Sequence, residues 1–264
     1  MEFTTQAQIQ FEWDNPNRKE LVELKIKYDL DKVVETGKDN FEKILLLKEW
    51  VYKTLPHGNN PIKNYQNATQ ILDDATSGQG EFYCSHYAQV FIECANALGF
   101  KARKVGVDNN HELGEEEMHH GIADVWDSVH NKWVVIDAQH NLHFEKVGIP
   151  LNALEVRNEF IGNGAKDIEG VVGVNEKRIK YDGSETGFDT PSNYYWFFVY
   201  TDNGPNMWQS PTILFIDQVN EGKTWYRGGK NKGEFKPHPM YEGQFVKITN
   251  SEIVFPVLRS NDKT

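Results

Sequence analysis

Cysteine is scarce in this 264-residue chain: there are two, Cys84 and Cys94, and no Cys-x-x-Cys pair. That excludes a zinc ribbon and a thioredoxin-type redox motif. Positive charge is also short, with 28 Lys and Arg against 39 Asp and Glu, a formal charge of −11. A polyanion repels such a chain, so neither a nucleic acid nor an anionic membrane surface is an expected partner. No apolar run approaches the ~18 residues of a membrane-spanning helix. The opening Met1-Glu2-Phe3-Thr4-Thr5 has no basic or apolar stretch and does not read as an export signal. The expectation is a cytoplasmic protein if the chain is complete, or a periplasmic or cell-surface one if a signal has been removed.

What remains is a folded globular composition, 39% apolar and 25% charged, in a chain long enough to bury a core without staples. Histidine is unevenly placed. Seven of the nine (86, 111, 119, 120, 130, 140 and 143) fall within a stretch that begins two residues after Cys84.

The pattern of apolar residues places helices early and strands late. A short helical patch runs from Leu21 to Tyr28. A firm helix spans 39–55, with Asp39 as cap, Glu42 as capping-box partner, and a stripe of Phe41, Ile44, Leu45, Lys48, Val51 and Tyr52. A loop region over 57–83 holds a short helix near Ala68–Leu72. A second firm helix spans 84–98, stopped by Gly99 in a left-handed cap with Phe100 as its apolar contact. Strands are expected at Lys101–Val107, His119–Trp126 and Trp133–Ala138, with a turn near Asn131, and a loop and short helix over 144–160. Further strands are expected at Asn193–Thr201, Thr212–Val219, Gly243–Thr249 and Ile253–Leu258. Residues 180–264 hold 16 of the 33 aromatics, which fits a β core or an aromatic substrate groove.

The two cysteines have different surroundings. Ten residues apart on one helix, they lie about 15 Å from each other, too far for a disulfide. Cys94 shares a face with Phe91, Ala95 and Leu98 and reads as core. Cys84 opens the helix after Ser77-Gly78-Gln79-Gly80. There the helix dipole favours a thiolate, and unpaired backbone N–H groups can hold an oxyanion. A thiolate nucleophile needs a base, and the base needs an orienting acceptor. If the hairpin turn spans 128–131, residue 127 pairs with 132 and 120 faces 139. Positions 120 and 137 then become diagonal neighbours on one face, with His119 on the other.

Three ordered segments carry a resemblance. Phe82-Tyr83-Cys84-Ser85-His86-Tyr87-Ala88-Gln89-Val90-Phe91, continued by Ala97-Leu98-Gly99-Phe100-Lys101-Ala102-Arg103, resembles the nucleophile helix of the transglutaminase-like superfamily. His120-Gly121-Ile122-Ala123-Asp124-Val125-Trp126 resembles its H-x-W-x-E-V strand, and Trp133-Val134-Val135-Ile136-Asp137 its W-V-x-x-D strand. The gaps of 36 and 17 residues fit, and the resemblance covers about 40–155. Ile122 stands where the family has Trp, and Asp124 where it has Glu. The resemblance implies an α+β fold: a papain/transglutaminase-like core with N-terminal helices, the cysteine at a helix start packed on an antiparallel sheet, and a β-rich C-terminal part. Residues 1–160 would be the core with its helical segment, and 161–264 a β-rich extension packed into the same domain.

The implied chemistry is a Cys84 acyl-enzyme formed from a peptide or protein amide, with His120 as base and Asp137 as orienter, and no cofactor. Water as acceptor makes a peptidase or amidase, the reading preferred here. An amine acceptor makes a transglutaminase, and a silent site makes a binding module. Gln79, five residues before Cys84, is an oxyanion candidate that competes with a plain solvated glutamine. No metal is expected. His111-Glu112-Leu113-Gly114-Glu115 lacks the second histidine of a zincin motif, and His119 and His120 alternate across a strand, although paired histidines such as His140 and His143 keep a metal reading open. The other clustered histidines are expected at exposed strand ends or in loops, His86 pointing away from Cys84, and Glu115–Glu117 in a solvated acidic loop.

Overall fold

The computed structural model describes residues 11–109, 118–203, 213–216, 245–248 and 254–258. Within them the chain runs β1 (Glu12–Trp13), α1 (Lys19–Lys27), α2 (Leu30–Val33), α3 (Asn40–Thr54), α4 (Ala68–Thr76), α5 (Cys84–Ala97), β2 (Ala102–Asp108), β3 (His120–Asp127), β4 (Lys132–Ile136) and β5 (Leu142–Lys146). It continues through β6 (Ile149–Pro150), α6 (Ala153–Asn163), β7 (Glu169–Val172), β8 (Lys177–Lys180), a 3₁₀ turn (Pro191–Tyr194), β9 (Trp196–Tyr200), β10 (Asp202–Asn203), β11 (Ile213–Ile216) and β12 (Phe245–Ile248). This is the α+β class expected.

A central sheet has the order β12-β11-β9-β2-β3-β4, antiparallel except for the parallel β11–β12 pair. Its side chains alternate between two cores. Ala123, Val125, Val134 and Ile136 join the helices in one cluster, while Val105, Val107, Ile122 and Val135 join α6, the second sheet and the 3₁₀ turn in the other. With both faces covered, even charged residues of these strands are buried, and Arg103 of β2 is paired with Asp124 of β3. At Gly106 the ring of Phe198 lies so close that an added Cβ would fall 2.2 Å from it.

Helix α5 sits at the centre of the helical layer, and every residue from His86 to Ala97 is buried, as a helix packed on all sides requires. It ends as expected, with Gly99 at φ +86° and the Phe100 N–H on the Ala95 carbonyl. Helix α3 is capped by Asp39, whose side chain accepts from the Glu42 N–H at 2.9 Å, but Glu42 returns to the Lys38 N–H rather than to the cap. Tyr52, expected on the buried stripe, is 45% exposed, and Leu47 is buried instead.

Other expectations change. Residues 142–146, read partly as loop, form β5, whose polar residues His143 and Glu145 are buried and bonded to each other. A second sheet, β6-β5-β7-β8, arises from a region given no element. The strand expected from Asn193 begins as the 3₁₀ turn, and residues 254–258 form no strand. The acidic stretch Glu115–Glu117, His111 and much of the C-terminal aromatic third lie outside the described residues. Among the described residues no helix is long and apolar enough to cross a membrane.

Candidate active site

Cys84 is the first residue of α5, after Tyr83 in extended conformation. The loop before it turns at Gly78 and Gly80, with φ of +74° and +77°. His86 caps the helix start: its Nδ1 accepts the Tyr83 N–H at 3.4 Å. It is boxed by the rings of Tyr65, Phe82 and Tyr83, and burial lowers its pKa to about 4, so it stays neutral and can accept. It is a buried cap rather than the exposed residue expected.

The β3–β4 ladder runs from Asp127↔Lys132 to Ala123↔Ile136, the register expected from a turn at 128–131. The ladder stops before 120 could face 139. Asp137 leaves it to exchange backbone hydrogen bonds with Leu142. The two side chains meet nevertheless, with His120 Nε2 2.8 Å from Asp137 Oδ2. His120 and Asp137 are 1% and 2% exposed, while Cys84 is half-buried. His119 lies on the other side, bonded to Asp108 at 2.9 Å and stacked on Phe198.

Cys84, His120 and Asp137 are thus brought together. His120 stands near enough to the Cys84 thiol to lower its pKa; with Nε2 on Asp137, the ring nitrogen not engaged by the carboxylate is Nδ1. Burial works to raise the Cys84 pKa, but the hydrogen bond and charge of His120, the Gly121 N–H and the Ser85 side chain together bring it below its ordinary value. Burial likewise opposes charge on His120, yet the Asp137 carboxylate and the thiolate raise it to about 10. Asp137 is driven far below the carboxylate range, despite its burial, by His120 and His140. Both shifts are in the direction that favours a thiolate beside an imidazolium, with the sulfur at a helix start that offers backbone donors. Strand and helix lie close at Gly121: a Cβ there would sit in ordinary contact with Ser85, 3.4 Å from its Oγ. Cys94, fully buried, has its thiol pushed well above 9.0.

Gln79 is exposed and tied through its backbone N–H to the Asp74 carbonyl. His140 was missed as part of the site. Its Nδ1 lies 2.7 Å from the same Asp137 oxygen, and its ring is 5.1 Å from that of His120. Phe188, from the C-terminal region, lies 6.0 Å from the His120 ring. Of the other clustered histidines, His119, His130 and His140 lie at a strand end or in turns as expected but are half-buried rather than exposed, and His143 is buried in β5; each bonds a carboxylate. In an acidic chain, folding places buried carboxylates beside the rings, and desolvated partners are held together.

His120, Asp137 and His140 carry ligand atoms within 4.8 Å of one another, the group among the described residues that could hold a metal. Both ring nitrogens stand at 2.7–2.8 Å from one carboxylate oxygen, closer than the about 3.3 Å edge of a tetrahedral zinc shell. The spacing is that of hydrogen bonds, and an ion would have to break both.

Helices, a thiol at a helix start and a His–Asp pair on an adjoining antiparallel hairpin make this a transglutaminase-like α+β core. Residues 30–138 match the family model of the transglutaminase-like superfamily, and the chain carries a domain of that superfamily there. Among solved structures it is similar to a "putative cysteine protease" from Cytophaga hutchinsonii, at 19% identity over 44% of this chain and 37% of that one, with a TM-score of 0.35. It is also similar to a "putative protease" from Parabacteroides distasonis, at 12% identity over 62% and 28% of the two chains, TM-score 0.33. The chain thus covers well under half the length of either. No curated protein matches it.

Proposed function

We propose that the protein is a thiol-dependent amide hydrolase, a peptidase or amidase acting through a Cys84 acyl-enzyme. The observation that carries this reading is the Cys84–His120–Asp137 contact, with the sulfur at the start of α5 and partly open to solvent. The Cys84 thiolate attacks the amide carbon, and the carbonyl electrons move to oxygen. Backbone donors at the start of α5 hold that oxyanion, with the exposed Gln79 as a side-chain candidate. The C–N bond breaks as His120 gives its proton to the leaving amine. Water then attacks the thioester, His120 takes its proton, and the C–S bond breaks to release a carboxylic acid and the thiolate. Asp137 fixes the ring and its tautomer throughout.

The test is hydrolysis of a library of peptide amides by wild-type protein, Cys84→Ser and Gln79→Ala, each with and without a chelator. Activity lost in Cys84→Ser, reduced about 100-fold in Gln79→Ala if it is an oxyanion donor, and indifferent to chelation supports the reading. Activity that survives Cys84→Ser, or that chelation abolishes, refutes it. Incorporation of a primary amine in place of water would reassign the acceptor.

A further inference from the structure

The reaction above needs one histidine on Asp137, and two are there. His120 Nε2 and His140 Nδ1 both meet Oδ2, at 2.8 and 2.7 Å, while Oδ1 takes the backbone N–H groups of Gln139 and His140. His140 belongs to a turn, Asp137-Ala138-Gln139-His140-Asn141, closed by Asn141 at φ +53°. The same turn occurs ten residues earlier as Asp127-Ser128-Val129-His130-Asn131. There Asn131 also has φ +53°, the His130 ring bonds Asp127, and the Val129 and His130 N–H groups bond the same carboxylate. In that first copy the carboxylate serves its own turn. In the second, the same oxygen is also the anchor of His120.

We propose that His140 is a positioning residue for His120: by sharing Oδ2 it divides one carboxylate between two rings and loosens its hold on the proton that His120 must deliver. The inference rests on the proposed thiol chemistry. A buried imidazolium clamped by a carboxylate of its own is a poor acid, because a general acid works best when its pKa lies near the working pH. A second N–H on the same oxygen, and the positive charge of His140 when protonated, both weaken that clamp. His140 is 27% exposed at its side chain and meets solvent directly, while His120 is buried. The charged and titratable groups facing the pair are Asp137 between the rings, Cys84 across His120, Lys48 from α3, Tyr181 and Tyr194 near Asp137, and Asp189 near His140.

The experiment follows ring-nitrogen NMR titrations of His120 in the full chain, wild type, His140→Gln and His130→Gln, alongside the pH profile of Cys84 alkylation. In His140→Gln the His120 midpoint should rise by about one pH unit, and the Cys84 profile should change with it. His130→Gln, which breaks the twin turn without touching Asp137, should leave both in place. An unmoved His120 in folded His140→Gln overturns the inference, as does an equal rise in His130→Gln. If His140→Gln does not fold, the wild type decides: coupled two-step titration of both rings supports the shared oxygen, and independent single steps overturn it. Hydrolysis separates the two readings. An active protein with an unmoved His120 sinks only the role of His140, whereas a moved His120 without Cys84-dependent hydrolysis sinks the enzyme.

Discussion

Asp137→Asn removes one charge from the centre of the site, and its consequence can be followed atom by atom. The native carboxylate receives four N–H groups, two from rings and two from the backbone. Asparagine offers one acceptor oxygen and one NH2 group, so with its oxygen on the two backbone donors its NH2 faces both rings and favours the neutral tautomers that accept there. The larger effect is electrostatic. Burial alone would lower the His120 pKa, and the Asp137 charge is the largest influence raising it to about 10. Compared with 6.5, that favours the imidazolium by roughly 5 kcal/mol. Without the carboxylate the ring is neutral at pH 7, and Cys84 loses the hydrogen bond and charge that offset its burial. Its thiol then returns to 9 or above, where about 1% is ionised at pH 7. Nucleophilicity grows with thiol basicity and offsets part of that loss, so alkylation at pH 7 should fall, by less than the loss of thiolate alone. The assay is iodoacetamide labelling against pH, read by mass spectrometry at both cysteines, with buried Cys94 as the internal control. The midpoint for Cys84 should lie below 9 in the wild type and at or above 9 in the variant. A folded Asp137→Asn with native rate and midpoint refutes the reasoning, and so does a wild-type midpoint at 9 or higher.

Three other outcomes are expected. Asp124→Ala should cost about 3–5 kcal/mol in urea unfolding: it strands the fully buried Arg103, bonded to Asp124 at 2.9 Å and to the Val254 carbonyl and stacked at 4.0 Å on Trp133. A loss below about 1 kcal/mol would contradict the burial. Lys48, buried on His143 Nδ1 and the Gly173 carbonyl, has its pKa lowered to about 7, mainly by burial. The unfolded chain therefore binds more protons between pH 7 and 10.5, and this contribution to stability rises with pH there. The stability difference between wild type and Lys48→Met should grow in favour of the wild type across that window, by at most about 1.4 kcal/mol per pH unit, and a flat difference would show Lys48 charged. Gly121→Val should wedge β3 off the start of α5 and slow Cys84 labelling roughly tenfold or more, whereas Gly121→Ala, whose Cβ meets only ordinary contacts with Ser85, should label like the wild type.

Much of the site could be read from the chain because its parts are local. A cap at Asp39, a glycine after Leu98 and a four-residue turn at 128–131 are each settled by a few neighbouring residues. The turn in turn fixes the parity that separates His120 from His119. The second sheet was not legible: β5 has five residues and β7 and β8 four each, too short to carry a period. Phe188 reaches His120 from 68 positions away, and no local pattern encodes such a contact.

His140 is a different case, because its signal was present. The repeated Asp-x-x-His-Asn at 127–131 and 137–141 is visible in the letters, and each copy predicts the same turn, with aspartate accepting backbone N–H groups and asparagine adopting a positive φ. The letters do not say which copy matters to the thiol. That follows from the sheet: β3 runs antiparallel to β4, so its start, not its end, lies beside the second copy, and that start lies against α5 where Gly121 meets Ser85. One turn closes the β3–β4 hairpin at the far end from Cys84, while its twin is laid under the nucleophile's partner. The histidine excess near Cys84 therefore has two sources, a turn used twice and a dyad used once, and only at Asp137 do they share an atom.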